Sequence, residues 1–440
     1  MAGMPNQFDP PSGTRDFLAQ ELERREQAFA VIRSVFGRYG FEPLQTPAFE
    51  RLELLTGKYG DDGDKLIFKI LRRGEHEASG EADLALRYDL TVPLARVAAA
   101  YGSQLPSPYK RYAIGPVWRA DRPGKGRYRE FVQCDLDTLG SASPLADAEV
   151  ICAQHDVLVA LGVTDFTILL NNRQVLAGLL EAYNISAEIG PRVLIVLDKL
   201  DKLAPDAVVS ELREMGLGAE AGELVQTLTA TESTDRIRVA LKPSEQGMTG
   251  MEDLDQLLAL VTTELPPGRI TFTPRMVRGL SYYTGPIWEH IAPGVPGSLG
   301  GGGRYDHLIA QLGGPDVPAT GASLGIERIL MLPGPEPAPL RRLDVGVTVL
   351  DSQYATQAYS FAAASRAAGL RASVYLGSSG KLGKQLRWAS DQGARWCLIY
   401  GGTEHEAGTV TVRDMTSGAQ TPVPPAGLTS YLADEAAGQE

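Results

Sequence analysis

Residues 110–130 read KRYAIGPVWRADRPGKGRYRE, and the chain runs on as FVQCDLDTLG to Gly140. Apolar and polar positions alternate along both arms of this stretch around a glycine-rich centre, the period-two pattern of a long antiparallel hairpin. Seven basic residues (Lys110, Arg111, Arg119, Arg122, Lys125, Arg127 and Arg129) stand against Asp121 and Glu130, so residues 110–130 carry +5. Arginine forks match phosphate oxygens two at a time, and Pro123-Gly124-Lys125-Gly126 is a turn that lets backbone approach a ligand closely. A polyphosphate or a nucleic-acid end is the ligand class this pattern suits. A solvated basic hairpin without a ligand is the plainer alternative.

Outward from the hairpin the pattern is mixed. Residues 18–39 have the spacing of an amphipathic helix ending at Gly40, and 83–101 open as a strand and continue as a helix with Pro93 near its first turn. Residues 268–330 return to strand character around the run Gly300–Gly303, which taken alone reads as a loop. The stretch 171–267 is helix-rich and acidic, as an insertion would be. Four prolines in the seven residues 333–339 disfavour helix and suit a semi-rigid spacer, so a domain boundary is expected there. Beyond it, strand-like Asp344–Leu350, Ala372–Leu376 and Ala394–Tyr400 alternate with helical Tyr354–Gly369 and Lys381–Gly393. That alternation predicts a compact α/β domain with a parallel sheet.

The whole chain has 440 residues and a formal charge of −12, which argues against a protein that coats nucleic acid indiscriminately. The charge is uneven, because residues 341–440 hold nine Lys/Arg against nine Asp/Glu and are neutral. Three cysteines, Cys134, Cys152 and Cys397, without a CxxC pair support neither a disulfide framework nor a zinc site. A reducing compartment follows, and the absence of a signal-like or membrane-length apolar run leads us to expect a cytoplasmic protein with no membrane partner. None of His76, His155, His290, His307 and His405 has metal-ligand spacing, so no metal ligand is expected among the side chains.

Several runs together resemble the class II aminoacyl-tRNA synthetases. Gly40-Phe41-Glu42-Pro43-Leu44-Gln45-Thr46-Pro47 is similar to motif 1, whose proline lies at the dimer interface in that class. Lys110–Gln133 resembles motif 2, with Arg119 as the motif arginine and Asp121 in the acidic position two residues on. Gly321-Ala322-Ser323-Leu324-Gly325-Ile326-Glu327-Arg328 resembles motif 3. Within the class, Val277-Arg278-Gly279-Leu280-Ser281-Tyr282-Tyr283-Thr284-Gly285 and Gly301-Gly302-Gly303-Arg304-Tyr305-Asp306 look like the two signatures of the histidyl-tRNA synthetase family. The resemblance runs from Pro11-Ser12-Gly13-Thr14-Arg15-Asp16 into the C-terminal domain. Five motifs in the right order make it specific where any one would be weak.

The resemblance implies an α/β (α+β) architecture: a class II antiparallel-sheet catalytic domain (1–170 and 268–333) with a helical insertion (171–267), a proline-rich linker (334–342) and a C-terminal α/β anticodon-binding domain (343–440). It implies a homodimeric ligase that activates L-histidine with ATP and transfers it to the 3′ end of tRNA, with Mg2+ bound through the ATP. Activation brings a carboxylate to the α-phosphate, and fixed guanidinium groups offset the charge that develops there. By resemblance the catalytic arginines are Arg119, Arg278 and Arg328. Histidine recognition falls on Asp89, Thr91, Gln133, Asp137, Tyr282 and Tyr283 alongside Arg119 and Arg278, and ATP binding on Arg119, Arg127, Phe131 and Arg328. Carboxylates suit an α-ammonium, and acceptors with a phenol suit the two imidazole nitrogens.

Bland readings stand beside these. Tyr282-Tyr283 could be packing, Asp137 a solvated or capping carboxylate, and Arg304 and Glu327 structural ion-pair partners. In the C-terminal domain Arg387, Trp388 and Arg413 are candidate RNA contacts, with a buried Trp388 as the alternative. Ser281 stands where the signature usually has aspartate, and His307 where glycine is common. Tyr88-Asp89-Leu90-Thr91 with Gln133-Cys134-Asp135-Leu136-Asp137 looks more like the eukaryote-type branch than the common bacterial one. The rival function is the non-catalytic, histidine-binding paralogue that serves as regulatory subunit of ATP phosphoribosyltransferase; an RNA-binding or scaffold protein on the same fold is a third.

Overall fold

The computed structural model describes residues 8–58, 63–74, 79–201, 203–229, 233–277, 282–333 and 342–437. The chain divides into two compact units, Met1–Pro335 and Glu336–Glu440. The spacer residues 334–341 lie outside the described residues.

The strands of the first unit are β1 (Glu42–Pro43), β2 (Phe49–Arg51), β3 (Lys69–Leu71), β4 (Ala82–Leu86), β5 (Tyr109–Trp118), β6 (Glu130–Leu139), β7 (Thr167–Asn172), β8 (Ile270–Phe272), β9 (Pro286–Ile291), β10 (Gly300–Arg304) and β11 (Ala319–Gly325). Eight of them form one sheet in the order β1-β5-β6-β11-β10-β9-β7-β8, while β2-β4-β3 make a small separate sheet. Only the outer pairs β1/β5 and β7/β8 are parallel; the interior is antiparallel. The hairpin expected at 110–140 is β5 and β6, paired from Tyr109–Leu139 to Trp118–Glu130.

Alternation gives the large sheet two unlike faces. Across one face run Tyr112, Leu136, Ala322, Gly302, Trp288 and Leu170 in register. Helices Ala19–Arg38, Pro144–Ala160 and Glu245–Val261 contribute Ile32, Phe36, Ile151, Leu158, Leu254 and Leu257 to the same buried cluster. The opposite face carries the polar residues described below. The glycine run expected to be a loop is instead strand β10, pinned between β9 and β11. A β-carbon at Gly303 would lie 2.7 Å from the Pro286 carbonyl and 2.9 Å from the Tyr283 ring, so the strand pairs only because those side chains are missing.

The helical stretch after β7 runs through Arg173–Ala182, Gly190–Leu197, Pro205–Glu214, Glu220–Thr229, Ser233–Leu241 and Glu245–Val261 before returning to β8. Its apolar residues, among them Val175, Val208, Leu224 and Leu254, continue the core of the sheet. Arg304 and Glu327 do pair structurally, but with other partners. Arg304 is held by Asp147 and by Asp306 at 3.2 Å, and Glu327 by Arg25 at 2.8 Å. Glu327 also accepts from the Val132 amide at 3.3 Å, tying helix Ala19–Arg38, β6 and the start of helix Ile326–Ile329 together.

In the second unit β12 (Val345–Val347), β13 (Ala372–Val374), β14 (Trp396–Ile399), β15 (Val410–Asp414) and β16 (Gln420–Val423) order as β13-β12-β14-β15-β16. The first three are parallel, with helices Ala355–Ala367 and Leu382–Asp391 as crossovers, as the strand–helix alternation predicts. The last two strands add on antiparallel. Val345, Phe361, Trp396, Leu398, Val412 and Leu432 form a core of this unit's own. Arg387 is exposed on its helix, and Trp388 is half-buried with its ring 5.5 Å from that of Tyr375.

Candidate active site

Strand β6 organises the site. Phe131, Gln133, Asp135 and Asp137 alternate onto the polar face, while Cys134 and Leu136 point into the core. Successive members of this row are about 6.8 Å apart along the strand, so it spans about 20 Å from an aromatic end to a carboxylate end. Neighbouring strands extend it sideways in register. Arg111 of β5 and Gly321 of β11 flank Asp137, Ala113 and Ser323 flank Asp135, and Gly115 and Gly325 flank Gln133.

At the aromatic end the β5–β6 loop folds back on itself. Gly124 and Arg127 exchange two backbone hydrogen bonds of 3.0 Å, closing the expected turn. The Arg119 guanidinium lies 4.2 Å from the Tyr88 ring centre and 5.2 Å from that of Phe131, and its Nε donates to the Tyr88 carbonyl at 3.1 Å. Arg127 donates to Asp121 at 2.6 Å, and the Arg129 amide donates to Gly13 at 2.8 Å. Arg328, at the end of motif 3, reaches the same loop: its Nη1 donates to Ser298 at 2.8 Å and its Nε to Gly126 at 3.4 Å. Two guanidinium groups therefore converge on one loop beside Phe131, a cradle for an anion next to an aromatic ring.

Not all of the +5 hairpin serves that end. Lys110 pairs with Glu149 at 2.8 Å, and Arg111 is fully buried, pairing with Asp137 at 2.8 Å and donating to the Leu90 carbonyl at 3.0 Å. The reading of Arg111 as part of a phosphate-facing cluster is thus corrected: it is the third residue of β5, directly across from Asp137 at the carboxylate end of the row.

The carboxylate end is enclosed and acidic. Asp137 is buried, accepts from the Tyr305 hydroxyl and faces Arg111, so it is neither a solvated nor a capping carboxylate. Burial pushes its carboxyl up, against the pull of Arg111 and the tyrosine hydrogen bond. A β-carbon at Gly321 would collide with this carboxylate, which gives motif 3 a steric reason for its first glycine. Asp89 is buried just before helix Thr91–Tyr101, where its Oδ1 accepts from the Val92 amide at 3.0 Å. Thr91 begins that helix. Gln133 donates to Ser323 at 2.9 Å, leaving its Oε1 without a hydrogen-bond partner among the described residues.

Tyr282 and Tyr283 differ. Tyr282 packs edge-on against Tyr305 at 5.8 Å in an apolar cluster with Leu94 and Leu308. Tyr283 sits over Gly303, and its phenol is raised by burial and then by Asp137, Asp135, Asp89 and Glu289, so it faces the carboxylates. Arg278 and Ser281 lie outside the described residues. His307, the other departure, pairs with Asp316 at 3.0 Å on the exposed surface.

Against known proteins, the description "Histidyl-tRNA synthetase" matches residues 13–329 and "Anticodon binding domain" residues 344–435. The chain belongs to the histidyl-tRNA synthetase family. Among its relatives are the histidine–tRNA ligases of Gloeobacter violaceus, 40% identical over 94% of this chain and 95% of the relative, and of Ruegeria pomeroyi, 39% identical over 94% and 90%. The crystal structure of histidyl-tRNA synthetase from Nostoc sp. PCC 7120 superposes with a TM-score of 0.77 at 29% identity, covering 98% of this chain and 100% of that one. A Bacillus halodurans protein described as an ATP phosphoribosyltransferase regulatory subunit/histidyl-tRNA synthetase shares the fold, with a TM-score of 0.74 at 21% identity over 91% of this chain and 100% of that one.

Family membership accounts for the motif residues, but the structure adds four polar residues that the motif reading left without a role. Arg111, Asp135, Ser323 and Tyr305 complete the carboxylate end. Alternation along QCDLD marks Asp135 as sharing a face with Gln133 and Asp137; Arg111 and Tyr305 emerge only once strands pair.

Proposed function

We propose that this chain is a histidine–tRNA ligase whose β6 row lays out the two substrates end to end. The observation that carries the reading is the polarity of that row, with an aromatic ring and two arginines at one end and buried carboxylates at the other. Adenine would stack at Phe131, with Arg119 and Arg328 on the phosphates and Arg127 at the loop. Histidine would lie between Gln133 and Asp137 with Asp89, Thr91, Tyr282 and Tyr283 around it. The histidine carboxylate then meets the α-phosphorus between the two ends, its oxygen forms the new P–O bond, and pyrophosphate leaves. Arg119, with Arg278 assigned by its motif, offsets the charge on the phosphoryl oxygens. In the second step the 3′-hydroxyl of the tRNA attacks the carbonyl carbon and AMP leaves.

Among the described residues no three His, Cys, Asp or Glu side chains gather as a cage for a metal. By the family resemblance we assign Mg2+ to the ATP phosphates, where it would neutralise charge. A homodimer is likewise our proposal, and it rests on the resemblance of Gly40–Pro47 to motif 1. Among the described residues no helix is long and apolar enough to cross a membrane, and a cytoplasmic location remains our proposal.

Histidine-dependent ATP–pyrophosphate exchange tests the function. Exchange in the purified protein is the expected result; histidine binding without exchange would favour the regulatory paralogue instead. A second expectation concerns the C-terminal unit, which has a core of its own. Ending the chain before Arg342 should leave exchange within about twofold while lowering aminoacylation of purified tRNA by about tenfold or more, since RNA contacts contribute to the second step alone. Equal losses in both assays would remove the RNA-reading role.

A further inference from the structure

The run Pro11–Asp16 opens the family resemblance but takes no substrate in the site proposed above. It lies along the loop end of that site, where its backbone pairs with the β5–β6 loop. The Gly13 carbonyl accepts from the Arg129 amide at 2.8 Å and the Glu130 amide at 3.4 Å, and the Ser12 carbonyl accepts from the Arg129 guanidinium at 3.4 Å. Gly13 has a φ of 87°, and a β-carbon there would sit 2.7 Å from Cγ of Arg129. Only glycine permits that approach in that conformation.

Side chains extend the contact as a ladder of alternating cations and rings. Arg15 Cζ lies 3.8 Å from the Tyr128 ring centre and 4.8 Å from that of Phe17. Arg25 Cζ in turn lies 4.1 Å from the Phe17 ring centre and pairs with Glu327 at 2.8 Å, both side chains being buried. Glu327 immediately precedes Arg328. One end of the ladder therefore rests on the motif 2 loop and the other on motif 3. The only other ion pair of Arg15 among the described residues, with Glu21 at 3.7 Å, is exposed and contributes little.

The loop needs such support. Arg122, Pro123, Gly124, Lys125 and Arg127 are all exposed, so the loop has little packing of its own to offset the entropy of being ordered. Its internal links start from Arg129, whose Nε donates to the Asp121 carbonyl at 3.1 Å while the Asp121 carboxylate holds Arg127 at 2.6 Å. Resting on the placement of ATP above, we propose that Arg15 is a positioning residue for nucleotide binding. Stacked on Tyr128, it holds residues 127–129 in place before ATP arrives and ties them through Phe17 and Arg25 to motif 3. ATP then meets a loop whose ordering cost is already met by the fold.

Calorimetric titration of the full chain with Mg2+-ATP, beside exchange kinetics, tests the assignment. Arg15→Ala should raise the Kd and the KM for ATP about 3- to 30-fold, the span from an exposed to a desolvated cation–ring contact, with kcat and the histidine KM within about twofold. Damage to the fold alone would do the reverse, cutting kcat with the active fraction and leaving the ATP KM in place. Tyr128→Leu should reproduce the loss, and the double variant should be little worse than the larger single. Arg15→Lys keeps a cation on the ring and should recover part of it; with Tyr128→Leu it carries the test if Arg15→Ala does not fold. An unchanged ATP affinity, an equal rise in the histidine KM, or strict additivity of Arg15→Ala and Tyr128→Leu would overturn the proposal. A wild type that binds ATP without exchange would instead overturn the ligase reading, and the ATP Kd would still decide the role of Arg15.

Discussion

Arg119→Ala is expected to lower kcat for histidine-dependent ATP–pyrophosphate exchange by about 100- to 1,000-fold. Removing one fixed donor from the group that meets developing charge costs this much in comparable sites, because water that refills the space must reorganise during the reaction. We propose Arg119 as such a donor. Its guanidinium is stacked between Tyr88 and Phe131 and tethered through Nε to the Tyr88 carbonyl, which leaves the terminal nitrogens to point at a ligand. Arg119→Lys should recover little, since an ammonium neither stacks on two rings nor forks onto a phosphate. The KM for histidine should move far less than kcat, because the interaction is made chiefly in the transition state. A variant that keeps kcat and loses only ATP affinity would show that Arg119 anchors nucleotide in the ground state and leaves the α-phosphate to others.

How much of this was legible in the sequence differs between the two ends of the row. The loop end is local: Arg119, Gly124 and Arg127 lie within nine residues of each other, and turn chemistry with charge density announced them, while Phe131 came only with the family resemblance. The C-terminal unit was legible for a similar reason, since strand–helix alternation carries its parallel core, and only β15 and β16 escaped that pattern. The carboxylate end is non-local. Asp137 meets Arg111 across a ten-residue register, Gly321 across a strand pair 184 residues away in sequence and Tyr305 through a side chain from beyond β10. Charge counting placed Arg111 with the phosphate-facing arginines, because composition cannot tell which end of a strand a side chain occupies. The glycine run failed for the opposite reason. Glycine propensity argues for a loop, but close packing of β10 against Pro286 and the Tyr283 ring overrides it.

The second large effect expected is on the fold. Arg111→Leu should cost about 3–5 kcal/mol of stability, the range for stripping one partner from a buried ion pair. Arg111 and Asp137 are both essentially inaccessible to water, so the orphaned carboxylate cannot hydrate; among the described residues Tyr305 alone remains to it, with Asp135 and Asp89 close enough to repel. The diagnostic measurement is calorimetric unfolding of Arg111→Leu, Asp137→Asn and the double variant. Since the penalty lies in an uncompensated charge, adding Asp137→Asn to Arg111→Leu should recover part of the lost stability, and strict additivity of the two losses would refute that account. Histidine binding should stay lost in the double variant even as the fold returns. An apolar pair of similar volume would stabilise this position at least as well. On the proposed reading of the site, the ion pair is better explained by the substrate: it helps hold a carboxylate ionised in a dry pocket, where a bound imidazole N–H would need an acceptor.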